Sequence, residues 1–122
     1  MNRRGINLEP RVCDLAGALA RMGDDHQLLR QIVEFFREDC PQYLARLHQA
    51  VDSGDPAAVE YAAHSLHGLV ANFGADAAAL AAQRLEEIGH SGNLSAIAEA
   101  VGALEEEVTR LQTTLVREAE KL

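Results

Sequence analysis

Apolar residues recur at intervals of three and four along most of this chain, and that spacing predicts helices rather than strands. The most regular series lies near the C-terminus and comprises Leu94, Ile97, Val101, Leu104, Val108, Leu111 and Leu115. A seam of this kind either covers the other helices of a bundle or pairs with a second copy in a coiled coil. We favour the first role, because the apolar faces of the preceding helices need another apolar surface to cover them.

A longer series in the first half predicts a helix that begins after an N-cap at Asp24 or Asp25 and ends at about Ser53. Pro41 removes one backbone hydrogen bond inside it, so we expect a kink, but one helix, since the series continues past the proline. A short helix over residues 12–22 precedes it. The apolar positions of the long helix are Leu28, Leu29, Ile32, Val33, Phe36, Cys40, Tyr43, Leu44, Leu47 and Val51.

Two shorter helices are predicted next, over residues 57–73 and 76–89, separated by Gly74. Asp55 is the expected N-cap of the first, with Pro56 at its start. Its buried face would contain Val59, Ala62, Ala63, Leu66, Leu69, Val70 and Phe73. The second would point Ala77, Leu80, Ala81, Leu85 and Ile88 inward and would end in a loop over residues 89–93.

The composition supports an all-helical fold, since Ala and Leu are abundant while β-branched and aromatic residues are few. Four substantial helices with short connections predict an all-α, antiparallel up-down four-helix bundle with a short extra N-terminal helix. Residues 1–10 are polar and are interpreted as an N-terminal arm. Residues 11–122 would then form one domain.

The charge of the chain limits its partners, because the formal net charge is −8 at pH 7. Nucleic acids and anionic membranes attract basic surfaces, so neither is an expected partner. The sequence has no apolar run long enough for a membrane span and no signal-peptide pattern, and we expect a cytoplasmic protein. Cys13 and Cys40 are interpreted as small buried hydrophobic residues.

One polar residue on the 57–73 helix departs from an ordinary solvated face. His64 falls about 160° from the centre of the buried face, at about 100° per residue. One turn later stands Gly68, which costs up to about 1 kcal/mol relative to Ala within a helix. That cost makes sense if a large partner must approach the imidazole closely.

The residues around His64 resemble the signature of the histidine-containing phosphotransfer (Hpt) domain of bacterial phosphorelays. That motif runs His, any residue, Leu, Lys, Gly, followed a few residues later by an apolar residue and Gly. Here it corresponds to residues 64–68, with Phe73 and Gly74 after them. The sequence departs from it at His67, where the family usually has Lys. The spacing of the elements from about Leu15 to Leu115 is also similar to that of the family.

The resemblance implies that His64 accepts a phosphoryl group from an aspartyl phosphate of a receiver domain and passes it to another receiver. Its partners would be receiver domains of response regulators, a hybrid sensor histidine kinase, or both. The Mg²⁺ would belong to the receiver, so the chain would need no cofactor of its own, and the resemblance implies a monomer. No glycine-rich phosphate loop is present, so we expect no ATP-dependent kinase activity. A domain of a larger hybrid or chemotaxis-type kinase remains an alternative to a stand-alone protein.

Two kinds of supporting residue are expected around His64 in such a module. An acceptor from the next helix would orient the second ring nitrogen, and Gln83 and Glu86 are both candidates. His67 would take the place of the family's Lys as a donor to the phosphoryl oxygens, which makes transfer dependent on pH. Gly68 would support the site by leaving room beside the ring. The surface on which a receiver docks would include Ala57, Glu60, Tyr61 and Ala71.

Two other interpretations of the same residues stay open. Glu60, His64 and His67 recur on one helix face and could hold Zn²⁺, but no fourth ligand is evident, so no metal site is predicted. Alternatively, the bundle is a non-catalytic docking or adaptor module that binds a receiver or kinase without phosphotransfer. Such an adaptor would keep its function after His64→Gln, whereas a phosphorelay module would lose it.

Overall fold

The computed structural model describes residues 10–121, and this part of the chain is helical with no β-strand. Residues 1–9, which make up most of the predicted arm, and residue 122 lie outside the described part. The division into arm and domain therefore stays a prediction. The helices are α1 (Leu15–Arg21), α2 (His26–Ser53), α3 (Pro56–Ala71), α4 (Asp76–Ser91) and α5 (Ile97–Ala119).

The four long helices form a closed bundle. Helices α2 to α5 each pack against the next along the chain, α5 returns to contact α2, and α1 lies against α2. This arrangement confirms the predicted helical bundle with a short extra N-terminal helix. The most extensive contact is between α3 and α4, the two helices on which the candidate site is built. Within residues 10–121 no helix combines the length and apolarity needed to cross a membrane.

The core lies between the four long helices and consists of aliphatic side chains around one aromatic pair. Phe36 of α2 and Phe73 after α3 meet edge to face, with ring centroids 5.2 Å apart. The predicted seam of α5 faces this core. Its buried members are Val101, Leu104, Val108, Leu111 and Leu115. Burial raises the pKa of the Cys40 thiol to about 11, so this cysteine is a neutral core residue, as the sequence predicts.

Aspartate caps set the starts of α2 and α3. Asp25 accepts a hydrogen bond from the Leu28 amide, so it is the N-cap of α2. Asp55 accepts from the amides of Ala57 and Ala58, and Pro56 is the first residue of α3, as predicted. Helix α2 runs through Pro41 without a break.

Helix α1 is shorter than the predicted 12–22 because the residues before it pair with the turn between α3 and α4. Asp14 caps α1 through the Gly17 amide and donates its own amide to the Phe73 carbonyl. Arg11 accepts a hydrogen bond from the Ala77 amide through its carbonyl. Long-range pairing of this kind leaves no periodic signal in the sequence.

Helix α4 differs from its prediction in length and in its inner face. It continues through Gly89 to Ser91, and the break occurs at Gly92, which has a φ of 78°. Leu80, expected inward, is 53% exposed. Leu85 is buried as predicted. The other wholly buried positions are Ala78, Ala82 and Gly89, small residues that allow α4 to lie close to α3.

The close approach of α3 and α4 is most evident at Gly89. A Cβ atom there would lie 2.6 Å from the Glu60 nitrogen and 2.8 Å from the Pro56 oxygen. Glycine is thus needed at this position for packing, although the sequence suggested that it ends the helix. The close contact also lets side chains of α4 reach those of α3.

Candidate functional site

The imidazole of His64 is presented to solvent from the outer face of α3. Its side chain is 74% exposed, whereas the opposite face of the helix packs into the core. The buried residues of α3 are Val59, Ala62, Ala63, Leu66 and Val70. The orientation predicted from the periodicity is therefore confirmed, and the ring is held on a helix rather than on a loop.

Glu86 of α4 holds one ring nitrogen of His64. The distance from His64 Nδ1 to Glu86 Oε2 is 3.0 Å. An ionised carboxylate only accepts hydrogen bonds, so Nδ1 carries the proton and Nε2 keeps its lone pair when the ring is neutral. Gln83, the other acceptor considered from the sequence, is exposed and makes no hydrogen bond to His64 within the described residues.

His67 contacts the second oxygen of the same carboxylate. Its Nδ1 lies 2.5 Å from Glu86 Oε1, one turn of α3 beyond His64. The Glu86 side chain is only 21% exposed, so both of its oxygens are used by imidazoles in a partly shielded position. We expect His67 to donate to a phosphoryl group, and this contact leaves only its Nε2 for that role.

One turn C-terminal to His64, the outer face of α3 carries a glycine in place of a bulky side chain. No packing contact inside the protein requires glycine at this position. A Cβ added at Gly68 would meet no atom within 4 Å. Ala71, which follows on the same helix, is also small and exposed. On the N-terminal side of His64, Ala57 is exposed and so is the larger Tyr61, at 75%. Small side chains around an exposed ring leave room for a partner to reach Nε2.

A second histidine–glutamate pair joins the same two helices, and sequence reasoning did not find it. His90 Nδ1 of α4 lies 3.2 Å from Glu60 Oε2 of α3. A signal was present, because Glu60 precedes His64 and Glu86 precedes His90 by the same four positions. On antiparallel neighbours, equal spacing lets each glutamate face the other helix's histidine. Glu60 therefore pairs with His90, and its place on the docking surface stays a prediction.

The zinc interpretation gains no support from this geometry. The carboxylate of Glu60 is directed to His90 of α4 and not to the two histidines on its own helix. Within the described part of the chain, no three His, Cys, Asp or Glu side chains are grouped as metal ligands would be.

Comparison with known proteins decides the family. The model of the Hpt domain matches residues 31–114, which include most of α2, all of α3 and α4, and most of α5. The chain belongs to the Hpt family. The matched segment contains His64 and Glu86. Hpt proteins are phosphotransfer intermediates of phosphorelays, so this membership supports phosphotransfer over a purely docking role.

A solved structure agrees with this assignment over almost the whole chain. Histidine-containing phosphotransfer protein B of Pseudomonas aeruginosa PAO1 superposes with a TM-score of 0.78 at 27% sequence identity. The match covers 97% of this chain and 98% of that one. No curated protein matches this sequence significantly.

Proposed function

We propose that His64 is the phosphorylated residue of this Hpt protein and that Nε2 is the atom that accepts the phosphoryl group. One observation carries this proposal: an exposed imidazole in the family motif has its Nδ1 fixed by Glu86, which leaves Nε2 as the free nucleophile. We assign Glu86 as the partner that orients His64, because Gln83 makes no hydrogen bond to the ring within the described residues.

The reaction joins Nε2 to phosphorus and releases a carboxylate. The Nε2 lone pair attacks the phosphorus of the receiver's aspartyl phosphate, the bond from phosphorus to the acyl oxygen breaks, and the aspartate side chain departs as a carboxylate. The ring keeps its Nδ1 proton and becomes positively charged. Glu86 stabilises that charge through the hydrogen bond already in place. Transfer to the next receiver reverses these steps.

The partners follow from the same chemistry. Phosphoryl transfer depends mainly on positioning and charge neutralisation. We assign the Mg²⁺ and most of the catalytic groups to the receiver domain, while this chain presents His64 on a rigid helix. We expect it to act in the cytoplasm as a monomer, without a cofactor or kinase activity of its own, between two receivers or between a hybrid kinase and a receiver.

A transfer assay with two histidine variants tests this proposal. The chain is incubated with a phosphorylated receiver domain and Mg²⁺, and the phosphoryl group is followed on both proteins. His64→Gln should take up none, and His90→Gln should behave as wild type. His90 is a matched control, because it is also exposed and paired with a glutamate across α3 and α4. Label on His64→Gln that disappears only when His90 is also replaced would refute the assignment.

A further inference from the structure

His64 lies on a ridge of α3 between two grooves of different composition. Tyr61 and Ser65 line the groove toward α2, and Glu60 lines the groove toward α4. A partner that reaches Nε2 must cover this ridge and enter at least one of the grooves. Their chemistry therefore bears on which surface the partner contacts.

The groove between α2 and α3 is mostly apolar and has a volume of about 420 Å³. Ala50 of α2 and Ala58 and Ala62 of α3 line it, together with two tyrosines, Tyr43 and Tyr61. Tyr61 is three residues before His64 and is largely exposed. An exposed aromatic beside an apolar groove is typical of an interaction surface, where aromatic side chains are enriched.

Arg46 is the only cation among the described residues that line this groove. Its guanidinium carbon lies 5.4 Å from the centre of the Tyr43 ring, which holds the charge at the groove. No carboxylate of the described residues forms an ion pair with it. Arg37 of the same helix does form an ion pair, with Glu34. Arg30, which like Arg46 forms no ion pair with a described carboxylate, is therefore the matched reference on α2, and what distinguishes Arg46 is its place at the groove.

The groove on the other side of His64 has the opposite character. Between α3 and α4 it is lined by Glu60, Glu86 and Glu87, with His90 and Gln83 beside them. A carboxylate from a partner would be repelled there and attracted by Arg46 on the α2 side. The net charge of −8 makes this contrast stronger, since most of the surface disfavours an acidic partner.

We propose that the α2–α3 groove is the part of the receiver-docking surface that sets the partner's orientation. It takes an apolar side chain from the receiver between Tyr43 and Tyr61, and a neighbouring carboxylate of the receiver pairs with Arg46. The partner then covers His64 from the α2 side. Because the inference rests on the proposed function, its test must separate failure of docking from failure of the phosphoacceptor.

Arg46→Glu, compared with Arg30→Glu, tests the groove directly. Both arginines are exposed on α2, and at about 100° per residue they point about 160° apart. Both changes alter the net charge equally. In transfer from a phosphorylated receiver domain that labels wild type, Arg46→Glu should raise KM by about five- to tenfold, and Arg30→Glu by less than about twofold. Tyr61→Ala should also raise KM, through the apolar half of the site.

Phosphoramidate serves as a second donor that needs no docking. Its P–N bond breaks, ammonia leaves, and the phosphoryl group is transferred to Nε2 of His64. Arg46→Glu and Tyr61→Ala should be labelled by it at the wild-type rate, which shows that both are folded. If both variants match Arg30→Glu with the receiver, the groove proposal is wrong. If neither donor labels His64 of the wild type, the phosphoacceptor assignment itself fails.

Discussion

At the scale of single residues, the site depends on how Glu86 is shared. One oxygen accepts a hydrogen bond from Nδ1 of His64 and the other from Nδ1 of His67, so both carboxylate oxygens are held in place. Periodicity alone was enough to predict that His64 lies on the exposed face of its helix. The choice of Glu86 over Gln83 could not, because it depends on the rotation of α4 and on how closely α4 approaches α3.

Glu86→Gln should slow phosphotransfer while leaving the bundle folded. The amide keeps the shape but lacks the charge that stabilises the phosphorylated, positively charged ring. Hydrogen bonds to charged groups contribute about 1.5–3 kcal/mol, so a loss of about tenfold or more in transfer rate is expected. The assay is transfer from a phosphorylated receiver, with Gln83→Ala as the control. Equal loss in both variants would contradict the assigned role of Glu86.

His67→Lys tests the departure from the family motif. Histidine loses its charge as pH rises through the range of about 5 to 8, whereas lysine keeps it. A cation beside the phosphoryl group favours the phosphorylated state. The fraction of phosphorylated chain at equilibrium with a receiver should therefore be similar in both proteins at low pH and lower in wild type at high pH. Parallel pH profiles would show that the charge of His67 has no part in transfer.

At the scale of helices, the sequence predicted correctly those features that depend on local residue type. It predicted wrongly those features of α4 that depend on packing between helices. The caps at Asp25 and Asp55 and the seam of α5 follow from local chemistry and periodicity. Leu80 and Gly89 did not, because α4 packs against α3 through small residues. A hydrophobicity pattern gives Leu80 priority over alanine, but the buried face of α4 consists of Ala78, Ala82 and Gly89 with Leu85, and Leu80 is left exposed.

Gly68→Ala should stabilise the protein and impair its function. Nothing lies within 4 Å of a Cβ at this position, so the gain in helix propensity of up to about 1 kcal/mol is unopposed. The added methyl group would, however, obstruct a partner that approaches His64. Urea unfolding and transfer from a receiver measure the two effects.

Gly102→Ala is the matched control for that change. Gly102 is exposed on α5 and also has open space around it. It should gain similar stability with no change in transfer. Unimpaired transfer in Gly68→Ala would mean that glycine is not kept there for docking.

At the scale of the whole molecule, the bundle uses its longest apolar seam internally. Helix α5 packs that seam against α2 and α4, and Val101, Leu104, Val108, Leu111 and Leu115 are buried there, so within residues 10–121 these positions are not available to a coiled coil. We therefore predict a monomer, measurable by sedimentation equilibrium across a wide range of concentration. A stable dimer would require another surface, and the α2–α3 groove would then be the first place to look for the contact.

The most direct test of the account is the state of His64 in solution, observed by two-bond ¹H–¹⁵N correlation spectra of the full chain. Before phosphorylation, we predict that the neutral form of the ring carries its proton on Nδ1, and after it, that phosphorus is coupled to Nε2 with the Nδ1 proton retained. Glu86→Gln should weaken the preference for this tautomer. Phosphorus on Nδ1, or on any residue other than His64, would contradict the account.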